Sequence, residues 1–299
     1  MQSAKLQLRP DALRRRWLCG LPIEIEGPAE LWSALPSAAP SASPALRVSF
    51  NEGPPPPIAG RLLVQGRGFA VAEAHDRLEL ELVDRSAPGR GPRLWARLDA
   101  ATRRCEVVFA PSALPMKEED GSAGRRAEAA RPEQLDDLLI DEVLPELVVA
   151  QLWPLWGFAY LHASATLSEG RARLFLGHSG AGKSTAARLL VQAGDRPFCE
   201  DRCVARPGLA AAAPWHGGES GAGLPAPLEG LYVLDRSGAA GPPRPLAPAE
   251  ALRAILPHAF LPRWWPPGLD AALAALGKLA EEATVQRLST SKERVELRP

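Results

Sequence analysis

The segment FLGHSGAGKSTAARLL, residues 175–190, constrains this chain more than any other. Gly177, Gly182, Lys183 and Ser184 meet the spacing G-x-x-x-x-G-K-[ST]. An apolar run, RLFLG, leads into it, and a helix-forming run, KSTAARLLVQAG, leads out. The local pattern therefore predicts a strand, a tight loop and a helix in immediate succession. Gly177, Gly180 and Gly182 let the backbone turn and aim N–H groups inward, where they and the helix N-terminus suit phosphate oxygens. The candidate nucleotide-binding segment is Gly177, His178, Ser179, Gly180, Ala181, Gly182, Lys183, Ser184 and Thr185. Lys183 reaches the terminal phosphates of ATP or GTP, and Ser184, ahead of Thr185, holds Mg2+. His178 stands at a variable position of the loop, with its side chain expected to point outward and to play no catalytic part.

A phosphate cradle does not by itself say what is done with the phosphate. Glu200 and Asp201 follow about sixteen residues after Ser184, in a polar turn between the runs RPFC and RCVAR. Adjacent carboxylates there can divide metal contact and proton abstraction from an acceptor hydroxyl, or form an ordinary solvated turn. Asp201 is the stronger candidate for base or metal ligand, and Glu200 the more ambiguous. His162 precedes ASATL; it is either a packed core histidine or a group that orients the carboxylate near the terminal phosphate. Trp215, His216 and Glu219 lie in APWHGGESGAG, a loop, with Trp215 a packing anchor or substrate platform and Glu219 a further metal candidate. Trp264 and Trp265 read as anchors of a Pro-rich turn. Arg236, Arg253 and Arg263 are surface charges or candidates for neutralising developing negative charge.

Composition narrows the partners. Lys+Arg and Asp+Glu balance at 35 each, which implies neither a nucleic-acid groove nor an acidic tail. The opening MQSAKLQLRPDALRRRWL has charge without an apolar run behind it, so a cytoplasmic protein with reduced thiols is expected. Cys199 and Cys203 lack the two further ligands a structural metal site needs. The apolar stretch 138–163 is interrupted by Asp141, Glu142, Glu146, Pro145 and Pro154, so it reads as a buried helix and not as a membrane span.

The chain divides into two regions. Residues 1–125 read as a smaller, mostly β subdomain, with strands at LRVSF, GFAVAEA and RLELELVD and a hairpin formed by RLWARLD and CEVVFAP. In RLELELVD, Leu78, Leu80 and Leu82 alternate with Glu79, Glu81 and Val83, the pattern of a half-buried strand. The boundary falls within the charged stretch 118–134, and residues 126–299 alternate helices and strands as an α/β domain. Its expected elements are a helix over 134–156 kinked at Pro145 or Pro154, a strand FAYLHASATL, a turn SEG, the strand RARLFLG, and the helix after the cradle, capped at Gly194. A loop over 207–227, the strand LEGLYVLDR, helices in APAEALRAILPHAF and GLDAALAALGKLAEEA, and a closing strand TVQRLST complete it. Leu269, Leu273, Leu276 and Leu279 form the apolar stripe of the last helix.

The combination of YLHASATL, GRARLFLGHSGAGKSTAARLLVQAGDRPFCEDRCVAR and APWHG resembles the HPr kinase/phosphorylase C-terminal domain and its PEP-carboxykinase-like relatives, over roughly residues 138–283. The resemblance implies a P-loop set in a PEP-carboxykinase-type sheet, with residues 177–185 on the β- and γ-phosphates and Mg2+. It implies that His162 assists near the phosphate and the acidic residue, and that Asp201 matches the second of a pair of aspartates used for base and metal work. Glu200 stands where the first is normally Asp. The second half is most similar to the small HPr-kinase-related proteins encoded near peptide-modification genes, in Pro214-Trp215, PLEGLYVLDR and the Ala/Leu-rich last helix. The Gly-rich signature that supports phosphorolysis in bifunctional HPr kinases is not found. The implied activity is an ATP- and Mg2+-dependent kinase acting on a hydroxyl, with serine of a peptide or protein as first choice of acceptor. A small-molecule hydroxyl kinase and a nucleotide-binding assembly or regulatory module are the alternatives. A homo-oligomer is compatible with the resemblance, while nucleic acid and membrane partners are not expected.

Overall fold

A computed structural model describes residues 13–27, 35, 37–39, 44–65, 69–74, 77–82, 94–109, 144–213, 224–235, 241–290, 295 and 297. The chain forms two compact units. The first comprises Met1–Arg16, Pro22–Ser33 and Ser37–Leu147; the second comprises Trp17–Leu21, Ala34–Pro36 and Val148–Pro299. The expected division at 125/126 thus differs in two ways. It falls later in the chain, and two short N-terminal pieces, Trp17–Leu21 and Ala34–Pro36, belong with the second unit. The stretch 118–134, where the boundary was expected, lies outside the described residues.

The described part of the first unit is built from strands β1 (Arg14–Leu18) and β2 (Leu21–Glu26), apart from their residues 17, 18 and 21, and from β3 (Leu46–Glu52), β4 (Arg61–Gln65), β5 (Phe69–Ala74), β6 (Arg77–Leu82), β7 (Leu94–Asp99) and β8 (Arg104–Phe109). They form one sheet in the order β1-β2-β3-β8-β7-β6-β5-β4. The expected hairpin is β7–β8, with Asp99 opposite Arg104. β1, β2 and β4 have no counterpart in the sequence reading: RRRWL and RLLVQ carry little alternation, and the alternation of LPIEIE is short and bears a proline. Leu46, Val48 and Phe50 alternate into the core, as do Ile23 and Ile25. Leu78 is buried as expected, but so is Glu79. Its carboxylate accepts the Ala59 N–H at 3.1 Å, which offsets the cost of burying the charge.

The second unit contains α1 (Leu144–Leu152), a 3-10 turn at Trp153–Trp156, β9 (Ala159–His162), β10 (Ser164–Ser168), β11 (Arg171–Leu176), α2 (Lys183–Gln192), β12 (Arg196–Cys199), β13 (Arg202–Arg206), β14 (Leu209–Ala212) and β15 (Pro225–Asp235). It ends with β16 (Arg244–Pro245), α3 (Pro248–Ile255), a 3-10 turn at Leu256–His258, α4 (Pro266–Glu282) and β17 (Val285–Ser289). The strand path is β12-β10-β11-β15-β14-β13-β9, with β17 added beside β15 and β16 beside β17. β11–β15 and β15–β17 are parallel and the other pairs antiparallel, so the sheet is mixed.

Several expectations change here. FAYLHASATL is not one strand but two, β9 and β10, which bend at Ala163 and pair with different neighbours: β9 with β13, β10 with β11 and β12. Leu209–Ala212, expected as loop, is a strand paired on both sides, and Ala210–Ala213 are buried; Ala side chains are small enough to let β14 lie close under its neighbours. The rest of that loop, with Trp215, His216 and Glu219, lies outside the described residues, as does Arg236. α4 buries Leu276 and Leu279 as expected, but its inward face is shifted away from Leu273. Ala272, Ala275, Leu276, Leu279 and Ala280 are buried, whereas Leu273 is 43% exposed. Close packing against small side chains outweighs the position of the largest apolar ones. Helix 134–156 is helical in its described part only to Leu152, where Pro154 forces the tighter turn. No helix among the described residues is long and apolar enough to cross a membrane.

Candidate functional site

Two bends lie side by side in the second unit. One is Ala163, between β9 and β10; the other is Glu200–Asp201, between β12 and β13. Both chain runs cross between the same two groups of strands, so their corners coincide. The Ala163 N–H donates to the Asp201 carbonyl at 3.1 Å, and the Ser164 hydroxyl donates to the Glu200 carbonyl at 2.8 Å. The Cys199 thiol donates to the Arg202 carbonyl at 2.8 Å. These bonds fix a turn that sequence alone allowed to be an ordinary solvated turn.

The turn holds a small charged cluster. His162 and Arg202 are direct cross-strand partners in β9–β13, and the Asp201 carboxylate lies between them. His162 Nδ1 is 2.7 Å from Asp201 Oδ1, and Arg202 Nη1 is bonded to Asp201 Oδ2. A carboxylate only accepts, so Nδ1 carries the proton it donates to Asp201. Arg202 Nη1 also lies 3.0 Å from His162 Nδ1. With Nδ1 protonated, two donors face each other there, and both are served by the same carboxylate. Burial, with Lys183 nearby, pushes the His162 pKa down against the opposing pull of Asp201. The imidazole is therefore neutral at pH 7 and leaves Nε2 as an acceptor. Arg202 also stacks 4.4 Å over the Phe260 ring, which holds the guanidinium in place.

The glycine-rich loop follows β11. Its Gly177 cannot carry a side chain as placed, because a Cβ there would stand 2.7 Å from the Ala181 Cβ. Gly182 caps α2 with φ +99°, a left-handed conformation open to glycine. Lys183, the first residue of α2, is buried, and its Nζ donates to the Gly177 carbonyl at 2.9 Å. Burial lowers its pKa, opposed by Asp201. The ammonium is thus folded back onto the loop that it closes. His178 is exposed as expected, yet its ring meets that of His258 edge-on at 5.2 Å. His258 is buried, and burial together with His178, Lys183 and His162 pushes its pKa down to about 4.

The loop and the turn face one cavity of about 350 Å3, lined by His162, Ser179, Gly180, Gly182, Lys183, Ser184, Thr185, Glu200 and Asp201. Folding thus brings together the sequence-selected His162, Glu200 and Asp201 with most of the loop. Arg253 and Arg263 are exposed and do not line it. Trp265 is buried against Gly268, in keeping with an anchor for the Pro-rich turn. Arg202 and His258 are the residues that sequence reasoning passed over. Arg202 was legible only as part of a polar turn, and the pairing of β9 with β13 is what sets it against His162. Nothing in the sequence around His258 signals its approach to the loop.

The donor set suits a hard cation. Ser184 is exposed on the first turn of α2, and the carboxylates of Glu200 and Asp201 share its cavity. Among the described residues there is no group of three or more His, Cys, Asp or Glu side chains that could cage a metal. Mg2+ bound through one or two protein oxygens, with water and phosphate completing its shell, requires no such cage. No protein-family model matches the chain, and no curated protein matches its sequence.

Proposed function

We propose that the second unit is an ATP- and Mg2+-dependent kinase that transfers the γ-phosphoryl group to a hydroxyl, with serine of a peptide or protein as the acceptor. One observation carries the reading: Asp201, oriented by His162, opens into the same cavity as Lys183, Ser184 and the glycine-rich loop. In this reading the loop N–H groups and Lys183 bind the phosphates, and Ser184 with Glu200 or Asp201 holds Mg2+. When bound, Mg2+ supplies charge neutralisation between the phosphates. Asp201 is the group that accepts the proton of the acceptor hydroxyl, and His162 holds that carboxylate in place. The acceptor oxygen gains its bond to the γ-phosphorus as the bond from that phosphorus to the ADP oxygen breaks, and the hydroxyl proton passes to Asp201. Ser179, Gly180, Ser184 and Glu200 are exposed at the cavity. That openness supports an acceptor carried on a larger chain over a metabolite enclosed on all sides.

The test is phosphoryl transfer from γ-labelled ATP to serine-containing peptides, comparing the wild type with Asp201→Asn and Lys183→Ala. Asp201→Asn is expected to lower the transfer rate by about 10^2- to 10^4-fold while ATP still binds. Lys183→Ala is expected to weaken ATP binding about 10- to 100-fold. Equal transfer by wild type and Asp201→Asn overturns the assigned base. Transfer to small alcohols or sugars but to no peptide overturns the assigned acceptor, and tight ATP binding without transfer to any hydroxyl overturns the kinase reading.

A further inference from the structure

The polar face of the first unit's sheet carries a cavity of about 560 Å3. All of its lining residues belong to that unit, and none of them is a group assigned above to phosphoryl transfer. Strands β2, β3 and β8 run parallel there, and their registers align residues in rows across the sheet. The first row is Glu24, Arg47 and Arg104. The second, two residues further along each strand, is Glu26, Ser49 and Glu106. Both rows line the cavity. The residues between them, Ile23, Ile25, Leu46 and Cys105 among them, are buried on the opposite face of the sheet.

The first row is left with uncompensated positive charge. Arg47 and Arg104 stand directly opposite each other, a like-charge pairing that is unfavourable in a sheet. Arg47 is bonded through Nε to the buried Glu24 at 3.1 Å, and its side chain stays 58% exposed. Asp99 faces Arg104 from the other neighbouring strand. Its carboxylate is taken instead by Arg77 at 3.0 Å and by the Thr102 N–H at 2.9 Å. Arg104 is exposed, and among the described residues no carboxylate engages it. The second row has the opposite surplus. Glu26 is exposed and has no cationic partner among the described residues. Glu106 lies 3.9 Å from Arg97, which is shared with Glu79 and stacked 4.8 Å over the Trp95 ring.

Two poles of opposite sign thus lie two residues apart along the same strands, about 7 Å. An extended peptide repeats its side chains on one face with the same period. Laid along β3 and β8, a segment with an acidic and a basic residue two positions apart sets a carboxylate on Arg47 and Arg104, and a cation on Glu26 and Glu106. A guanidinium bonded to a carboxylate is among the stronger of such pairs. The cavity as a whole is balanced, since Arg47, Arg77, Arg97 and Arg104 stand against Glu24, Glu26, Asp99 and Glu106. That balance disfavours a polyphosphate or a nucleic-acid backbone, which carries charge of one sign. We propose that this face of the first unit is a docking site for an extended peptide segment of mixed charge. The segment reads acid-x-base when it runs parallel to β3 and base-x-acid when it runs antiparallel. The site is separate from the glycine-rich loop, and the proposal does not rest on the kinase reading.

The experiment is calorimetric titration of the full chain, without nucleotide and at low ionic strength, with short Gly/Val peptides built around Glu-Val-Lys or Lys-Val-Glu. Both peptide ends are capped, so that only the two side chains are charged, and neither peptide carries a hydroxyl that the second unit could take as acceptor. Matched peptides replace Glu or Lys by Gln. The wild type is expected to bind at least one of the two orders with a Kd below about 1 mM, and each Gln replacement to weaken it at least about 3-fold. Arg104→Gln and Glu26→Gln, both at exposed positions, are first checked for an unchanged thermal unfolding midpoint. Arg104→Gln is expected to lose the preference for Glu over Gln in the peptide and to keep the preference for Lys. Glu26→Gln is expected to do the reverse. Failure of the wild type to bind either order overturns the site, as do variants that weaken every peptide equally. Tripolyphosphate or an oligonucleotide that binds more tightly than the peptides, and is weakened by Arg104→Gln, overturns the peptide as ligand. Where a variant does not fold, the wild type decides: equal affinities for charged and Gln-substituted peptides overturn the proposal.

Discussion

His258 shows how a single buried residue can tie this site to pH. Its imidazole is pushed to a pKa of about 4 by burial and by neighbouring His178, Lys183 and His162, whereas an unfolded chain titrates near the ordinary value of about 6.5. Between those two values the unfolded state binds a proton that the folded state refuses. Stability therefore rises with pH through this window, is complete above about pH 6.5, and is lost progressively as pH falls toward 4. The second unit is expected to lose about 1–2 kcal/mol from this residue between pH 7 and pH 5. His258→Gln should flatten that part of the profile, as read by denaturant unfolding at both pH values. An unchanged pH dependence in the variant would show that His258 is protonated in the folded protein. Asp201 and Glu200 illustrate the opposite limit of legibility at this scale. Two acidic letters in a polar turn after the glycine-rich loop were readable, with Asp201 the stronger candidate, but the surroundings of each carboxylate were not. The cross-strand pairing of His162 and Arg202 adds what the sequence lacked, two side chains that engage the Asp201 carboxylate.

At the scale of elements, the β11–loop–α2 unit was the most legible part of the chain, because each of its parts is dictated locally. The apolar run makes the strand, the glycines relieve the turn, and KSTAARLL has no helix breaker. Its weak point is Gly177, where an added Cβ would meet the Ala181 Cβ at 2.7 Å. Gly177→Ala is expected to push the loop out of place, with an overpacking cost of about 1–3 kcal/mol and at least a 10-fold loss of ATP affinity. Calorimetric titration alongside thermal unfolding measures both, and unaltered binding would show that the loop can absorb the methyl group. The elements that were misread share a cause. FAYLHASATL carries no glycine or proline at Ala163, so its corner is imposed from outside, by the bonds from Ala163 and Ser164 to the neighbouring turn. Leu209–Ala212 lacks the β-branched residues that mark a strand, yet it is paired on both sides. In α4 the inward face follows the space left by its neighbours, which Ala275 and Ala280 fit and Leu273 does not.

For the whole molecule, the division of the chain carries a consequence for fragments. The short piece Trp17–Leu21 belongs to the second unit, and there the Trp153 indole N–H donates to the Cys19 carbonyl at 2.8 Å in a buried setting. Leu18 and Cys19 are fully buried, and Gly20 lies close to Phe158 and Ala211. A fragment of residues 126–299, the domain suggested by composition, lacks that piece. It leaves the indole N–H without its partner, at about 1–3 kcal/mol, and it loses the burial of Leu18, at about 1.5–3 kcal/mol. The fragment is expected to be less stable than the second unit of the full chain by about 3 kcal/mol or more. Denaturant unfolding followed by tryptophan fluorescence tests this, and equal stability would show that the Trp17–Leu21 piece is dispensable.

The sequence by itself determined the glycine-rich loop, the helix that follows it, the mostly β character of the first unit and the residue types present at the loop and the turn. Those properties follow from short-range patterns: alternation, glycine at sharp turns, and charge placed between apolar runs. Tertiary structure alone decided which of those residues meet. It set His162 opposite Arg202 across two strands far apart in the chain, put both bends at one corner, drew His258 up to the loop and brought Arg104 beside Arg47. Each of these depends on strand pairing or helix packing between distant segments, whose register no local pattern encodes.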